Sequence, residues 1–244
     1  MTRRENKMNK DRERLLSEAD IYRLLSLSFA YPDRETIETL CSLIDDMGEV
    51  IYSFSSGIQE KFILYKNSLN GISAETLEGE FTDLFMTRML CPPYENSYGK
   101  IGVNKAGTLA DINGFYKAFG LSISERDSDM PDHIAIELEF LSLIALKEVY
   151  GIEHGIGDML QVCASAKNEF LKDHIGRWAG VFCKNLVEMT TKDFYRNLAL
   201  LTSGFIEEEI KFYSIIVEPV EGVLRESSES LDCSVAIGEE VKNT

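Results

Sequence analysis

The sequence is short of the residues that build metal and redox centres. Its 244 residues hold three histidines, His133, His154 and His174, and five cysteines, at 41, 91, 163, 183 and 233. No two cysteines form a CxxC pair, and no Glu-x-x-His or His-x-x-x-His spacing occurs. Zinc-finger, diiron and zinc-protease sites therefore have no frame, and an odd set of scattered thiols fits a reducing compartment. Phosphate-cradling GxxxxGK[ST] and GxGxxG loops are lacking, as is the GxSxG nucleophile turn. No cofactor and no catalytic residue is expected.

Basic charge is also scarce. Lysine and arginine number 25 against 41 acids, a net charge of −16. That balance disfavours nucleic acid and anionic lipid as partners, since both require a positive footprint. Uninterrupted apolar runs are missing as well. The most apolar stretch, Ile134 to Ile152, is broken by Glu137, Glu139, Lys147 and Glu148, well short of the roughly 20 apolar residues that span a bilayer. Arg3-Arg4 suggests a twin-arginine export signal, but Glu5, Lys7, Lys10 and Asp11 follow where an apolar region belongs. A charged lead-in to the first helix and a cytoplasmic location are expected.

What is present is helical patterning at a period of 3.6 over a chain that is 44% hydrophobic and 27% charged. Leu15, Leu16, Ile21, Leu24, Leu25 and Phe29 predict a first helix closed by Tyr31-Pro32. Asp33 caps a second with the stripe Ile37, Leu40, Cys41, Ile44 and Met47; Ile58 to Leu69 is a third. Ser73 caps a fourth carrying Leu77, Phe81, Leu84 and Phe85, and Cys91-Pro92-Pro93-Tyr94 cannot continue it. Thr108-x-x-Asp111 predicts the cap of a fifth helix that ends at Gly120. Pro131 then opens a helix expected to run to Tyr150, apolar on nearly all sides, with Gly151 stopping it. Phe170, His174, Trp178 and Phe182 share one later helix, and a last one from about Thr191 carries Phe194, Leu198, Leu201, Phe205 and Ile210. Pro219 closes the packed part, and the serine- and glutamate-rich residues 226–244 predict a disordered acidic tail.

Two segments could carry recognition. The loop from Cys91 to Gly99 is stiffened by Pro92 and Pro93 and offers Tyr94 and Tyr98 as amphipathic surfaces, next to Glu95. It could equally be a stiff connector. The segment Asp129-Met130-Pro131-Asp132-His133-Ile134-Ala135-Ile136-Glu137 places Asp132 at the positive end of a helix and His133 one turn from Glu137. Either the cluster holds an imidazole for binding or chemistry, or it merely starts a helix, with Asp132 capping and His133 bonded to Glu137. Pro131 and Asp132 suffice to start the helix, so His133→Ala is expected to leave stability nearly unchanged. His174 is expected in the core, His154 in a solvated loop, and Glu207-Glu208-Glu209 on an exposed face.

Together these segments resemble the TorD/DmsD/NarJ family of cytoplasmic chaperones for molybdenum-containing redox enzymes. The resemblance spans roughly residues 15–215. It rests on Glu80-Phe81-Thr82-Asp83-Leu84-Phe85 followed by Cys91-Pro92-Pro93-Tyr94-Glu95, on the acidic-x-Pro-Asp-His-Ile hinge at 129–134 with Glu137-Leu138, on Phe170-Leu171-x-x-His174-Ile175-x-x-Trp178, and on Phe194-Tyr195-Arg196-x-Leu198-Ala199. Tyr94 stands where tryptophan is common, and Asn96 where serine often follows.

The resemblance implies an all-α fold of two helical lobes, 11–121 and 131–219, joined by a hinge or linker at 122–130. It implies a non-enzymatic chaperone that binds the twin-arginine signal peptide and the apo-form of a molybdoenzyme catalytic subunit, assists cofactor insertion and delays export. The client surface is expected to draw on Phe85, Pro92, Pro93, Tyr94, Glu95, Asp129, Pro131, Asp132, His133 and Glu137. A monomer and a hinge-swapped homodimer are both compatible with it. The competing reading is a helical metal- or nucleotide-dependent enzyme using His133, Asp132 and Glu137.

Overall fold

A computed structural model describes residues 3–99, 105–122 and 130–221. Asp129, Cys233, most of the expected linker and the expected acidic tail lie outside them. Among the described residues the architecture is all-α. The helices are α1 (Arg3–Ser28), α2 (Arg34–Asp46), α3 (Ser56–Ser68), α4 (Ala74–Phe81), α5 (Lys105–Ala118), α6 (Ile134–His154), α7 (Gly157–Asp173), α8 (Ile175–Met189) and α9 (Asp193–Phe212). None of them is long and apolar enough to cross a membrane.

The central pair is α1 against α6, with α7 and α8 continuing around α6 and α9 covering α8 and α3. Leu138, Leu141 and Ile144 of α6 are fully buried against Ile21, Leu24 and Leu25 of α1 in one apolar core, which fits the nearly all-round apolar pattern of α6. Aromatic rings fill much of the rest. Phe85 lies 5.1 Å from Phe81 and 5.7 Å from Tyr195, while Phe140 and Phe170 meet at 4.8 Å.

Local signals that act through neighbouring backbone appear as predicted. Asp33 Oδ1 accepts from Thr36 N and Ser73 Oγ from Thr76 N, so both act as N-caps. Gly120 ends α5 at φ +78. Several expectations need correction. His154, expected in a loop, is the last residue of α6, and Glu209, expected on an exposed face, is fully buried. The charged lead-in is itself helical, since α1 begins at Arg3. Helix α5 begins at Lys105, three residues before the expected cap Thr108. Helix α4 ends in a π-turn, Thr82–Met86, closed by Thr87 N–H to Thr82 O at 2.8 Å.

Pro131 and Asp132 precede α6 instead of lying in its first turn, and His133 is its N-cap. The same helix passes through Gly151 and ends at Gly155, φ +67. Gly151 is there for closeness, because a Cβ would sit 3.0 Å from Leu160 Cδ2 of α7. Finally, Phe170 and Trp178 belong to two helices. The chain breaks at His174, φ −121 and ψ −108, between α7 and α8.

Candidate functional site

The loop after α4 and the segment before α6 are zipped together. Tyr94 and His133 form an antiparallel bridge. Ile134 N–H donates to Pro93 O and Glu95 N–H to Asp132 O, each at 2.9 Å. Pro92 and Pro93 have no N–H to donate, so the loop stays extended there and offers carbonyls; Tyr98 Oη donates to Pro92 O at 2.8 Å. The buried Asp132 carboxylate accepts from both Asn96 N (3.0 Å) and Asn96 Nδ2 (2.9 Å). Asp132 thus caps the loop's own short turn, Glu95–Ser97, and not α6. That helix is capped by His133, whose Nδ1 accepts from Ala135 N at 3.2 Å. Accepting at Nδ1 places the proton of the neutral ring on Nε2.

Beneath this clasp lies a buried polar layer. Glu95 Oε2 meets His174 Nδ1 at 3.1 Å, and His174 Nε2 lies 3.4 Å from Asp111 Oδ2 at the surface of α5. The expected pairing of Glu137 with His133 is replaced by another. Glu137, fully buried, accepts from Trp178 Nε1 at 3.2 Å, while its Oε1 has no hydrogen-bond partner. Burial first, then the Glu95 carboxylate, pushes the Glu137 carboxyl well above the ordinary range, against the Trp178 donor. Trp178 is stacked on Tyr98 with ring centroids 5.5 Å apart. Burial also pushes the Cys91 thiol up to about 12, so it is no nucleophile.

Above the clasp a groove opens, a cavity of about 450 Å³ lined by Phe29, Ala30, Tyr31, Phe81, Phe85, Met86, Met89, Pro93, Tyr94 and His133. Tyr94 and His133 meet edge to face at 5.2 Å and form one wall. Tyr31, set edge-on to Phe81 at 5.4 Å, forms another. Met86 and Met89 are about half exposed at its rim. The π-turn and the left-handed backbone of Met89, φ +46, turn these two side chains out of the α4 stripe. The site is a wide apolar trough, adaptable through its thioethers, without convergent catalytic groups.

Residues 43–184, which contain both the loop and the hinge segment, match the sequence family described as nitrate reductase delta subunit. The chain belongs to that family. Among its relatives is the perchlorate reductase assembly chaperone protein of Dechloromonas aromatica, 23% identical over 207 residues, covering 82% of this chain and 91% of that one. The selenate reductase assembly chaperone protein of Thauera selenatis is 29% identical over 118 residues, 47% of this chain and 60% of that one. The chaperone protein TorD of Vibrio cholerae is 25% identical over 135 residues, 54% and 60% respectively. In fold, the chain is similar to a putative redox enzyme maturation protein from Archaeoglobus fulgidus at a TM-score of 0.50 and 22% identity, covering 78% of this chain and 93% of that one. The resemblance noted from the motifs therefore holds. The relatives are named as chaperones and not as catalysts.

Within this nitrate reductase delta subunit member, the residues expected at the client surface divide into two sets. Phe85, Pro93, Tyr94 and His133 come together in the groove. Pro92, Glu95, Pro131, Asp132 and Glu137 lie in the clasp or under it: Pro92 O accepts from Tyr98 Oη, and Pro131 O accepts from Tyr116 Oη at 2.9 Å. Asp129 is outside the described residues. His174 is buried as expected, but it is a partner of Glu95 and not a plain core histidine. The groove residues missed were Phe29, Ala30, Tyr31, Phe81, Met86 and Met89. For those at the rim the only signal was position, two methionines between the end of an amphipathic helix and a Pro-Pro pair and a tyrosine just before Pro32. The competing enzyme cluster does not assemble. Asp132 bonds Asn96, Glu137 bonds Trp178, and His133 bonds the backbone of its own helix. Among the described residues no three His, Cys, Asp or Glu side chains are grouped to hold a metal ion.

Proposed function

We propose that this chain is a system-specific assembly chaperone for a molybdenum-containing oxidoreductase, acting in the cytoplasm. In this reading the groove between Tyr31, Phe85, Met86, Met89, Tyr94 and His133 receives the apolar middle of a twin-arginine signal peptide on the apoenzyme, and release follows cofactor insertion. The observation that carries it is the groove itself. An open trough lined by aromatic and methionine side chains adjoins the two motifs that carry the family resemblance. Flexible methionines suit a helical or extended apolar segment better than a rigid small molecule.

Affinity and selectivity have different sources here. Asp132 and Glu137 are committed to internal partners, so the basic head of the leader is drawn by the field of a chain with net charge −16 and not by a dedicated hinge carboxylate. Burying on the order of 400 Å² of apolar surface, at about 25 cal/mol per Å², supplies the larger share of affinity. Exposed ion pairs add only about 0.2–1 kcal/mol each and act on encounter rate.

The test is calorimetric titration of the purified chain with a synthetic twin-arginine leader peptide that carries paired arginines and an apolar middle. Binding is expected to weaken only modestly with added salt. Met86→Glu, at a half-exposed rim position, is expected to weaken binding about tenfold or more by placing a charge in the apolar trough. Unchanged affinity in Met86→Glu, or loss of nearly all wild-type affinity at moderate salt, overturns the reading.

A further inference from the structure

Glu80, which opens the motif ending in Phe85, and Tyr195, in the last of the family motifs, meet behind the groove. The Glu80 side chain leaves the end of α4 and takes three hydrogen bonds from the turn between α8 and α9. Its Oε1 accepts from Thr190 Oγ1 at 2.8 Å and from Thr191 N at 2.7 Å, and its Oε2 accepts from Thr191 Oγ1 at 3.1 Å. Nearly one helical turn earlier, Leu77 O accepts from Tyr195 Oη at 3.3 Å. The Tyr195 ring is fully buried and stands edge-on to Phe85. Helix α4 is thus bracketed to α9 and to the turn before it. Glu80 itself lines no part of the groove.

The rim of the groove takes its place from this bracket. Past Phe81 the backbone bonds to itself: Thr87 N–H to Thr82 O at 2.8 Å, Leu90 N–H to Asp83 O at 3.4 Å and Cys91 N–H to Leu84 O at 2.9 Å. Those bonds fix the shape of the segment that carries Met86 and Met89, and not where it stands. Buried Phe81, Leu84 and Phe85 anchor it by apolar contact, which is non-directional. Its far end is held by the clasp, and its near end is the last turn of α4. That helix is only eight residues long and holds Gly79 in its last turn, so backbone propensity fixes its end weakly. The two walls of the trough therefore have separate polar anchors, Asp132 behind Tyr94 and His133, and Glu80 behind Phe81, Phe85 and the methionines.

We propose, on the reading that the groove receives the leader, that Glu80 is a positioning residue for client binding: its bonds to Thr190 and Thr191 set the stance of Met86 and Met89 over the groove. Without them the end of α4 keeps only its apolar contacts and the Tyr195 bond to Leu77, and it is free to turn about that point. The π-turn carries any such turn outward to two side chains that are about half exposed. A binding site whose supporting residues are loose loses affinity although every contacting side chain is present.

The test reads methionine methyl signals of the free full-length chain and calorimetric titration with the synthetic twin-arginine leader on the same samples. Glu80→Ala is expected to shift the Met86 and Met89 methyl signals and to weaken leader binding about tenfold. Glu80→Gln is the rescue: its amide oxygen accepts from Thr190 Oγ1 and Thr191 N, and its Nε2 donates to the Thr191 hydroxyl, so methyl signals like those of the wild type and an affinity within about twofold of it are expected. Ser73→Ala removes the cap at the other end of α4 and is expected to lower the melting temperature while leaving both readouts unchanged. If Glu80→Ala fails to fold, Thr191→Val, at an exposed position, removes one of the three bonds and is expected to move the same methyl signals. Unmoved Met86 and Met89 signals in the folded variant, a Glu80→Gln variant as impaired as Glu80→Ala, or an equal loss of affinity in Ser73→Ala overturns the proposal. The methyl signals need no ligand, so they judge Glu80 even where the wild-type chain binds no leader, which is the result that overturns the groove reading instead.

Discussion

Replacing His133 separates the two jobs that the structure gives it. Its Nδ1 is the N-cap of α6, accepting from Ala135 N, and its ring is a groove wall packed edge-on to Tyr94 at 5.2 Å. Loss of an N-cap costs about 0.5–2 kcal/mol, and loss of an aromatic pair about 0.5–1.5 kcal/mol. His133→Ala removes both, so about 2–3 kcal/mol is expected, and for a chain of this size about 2–4 °C of melting temperature per kcal/mol gives a fall of about 5–10 °C. His133→Asn restores a side-chain acceptor at a position where asparagine caps well; only the ring contact is lost, and the fall shrinks to about 2–4 °C. If the groove receives the leader peptide as proposed, affinity depends on the ring and not the cap, so both variants are expected to bind several-fold more weakly, and by similar factors. Differential scanning fluorimetry and calorimetric titration on the same samples read the two jobs apart. Equal melting temperatures for the alanine and asparagine variants would refute the cap. Wild-type peptide affinity in both would refute the groove wall. The sequence pattern suggested the reverse, a histidine dispensable for stability beside an aspartate that starts the helix.

Two further outcomes test other parts of the fold. Burial and the neighbouring Glu18 raise the Glu209 carboxyl from an ordinary 4.5 to about 8; the folded chain therefore holds that proton more tightly than the unfolded one, and the stability it contributes is full below 4.5 and lost as pH rises through about 8. Urea midpoints should fall from about pH 5 to about pH 8.5 in the wild type and fall less in Glu209→Gln, where no proton is exchanged; identical slopes would sink the assignment. At the α7–α8 break, a Cβ on Gly176 would lie 2.1 Å from the backbone oxygen of Leu171, whereas one on the exposed Gly180 meets nothing within 4 Å. Gly176→Ala should cost at least about 3 kcal/mol and Gly180→Ala should add up to about 1 kcal/mol of helix stability, as thermal unfolding of the pair will show; two equally stable variants would mean the break is not tight.

What was legible in the sequence acts over a few residues, and what was not acts over many. The caps Asp33 and Ser73 bond backbone three residues on, so residue type and spacing suffice to see them. Asp132 finds Asn96, 36 positions away; Glu137 finds Trp178, 41 away; His174 finds Glu95, 79 away; and Arg14 finds Glu209, 195 away. None of these pairings leaves a periodic trace. The stripe Phe170, His174, Trp178 reads as one helix because its four-residue spacing continues across the break, with no proline to mark it. Glu209 reads as solvated because two glutamates precede it, and only its distant partners Arg14 and Tyr22 reveal the buried side.

The same distinction bears on where client choice resides. The charged members of the two motifs, Glu95, Asp132 and Glu137, carry the family resemblance, yet each is engaged by a protein partner. Asp132 holds the loop to the start of α6, Glu95 ties it to the α7–α8 break, and Glu137 anchors Trp178 beneath it, so together they set the shape of the trough. The side chains that line its open space carry no carboxylate, lysine or arginine; Tyr31, Phe85, Met86, Met89, Tyr94 and His133 are among them. Three of these, Tyr31, Met86 and Met89, sit on irregular backbone outside either motif. A chaperone that keeps the clasp and varies those three positions can change its partner without rebuilding its fold. Selectivity among reductases should therefore be sought at residues the motif does not contain. An exchange of Tyr31, Met86 and Met89 for the side chains of another chaperone should move leader preference toward that chaperone's client, while an exchange at Asp132 or Glu137 should unlatch the loop and weaken all leaders alike.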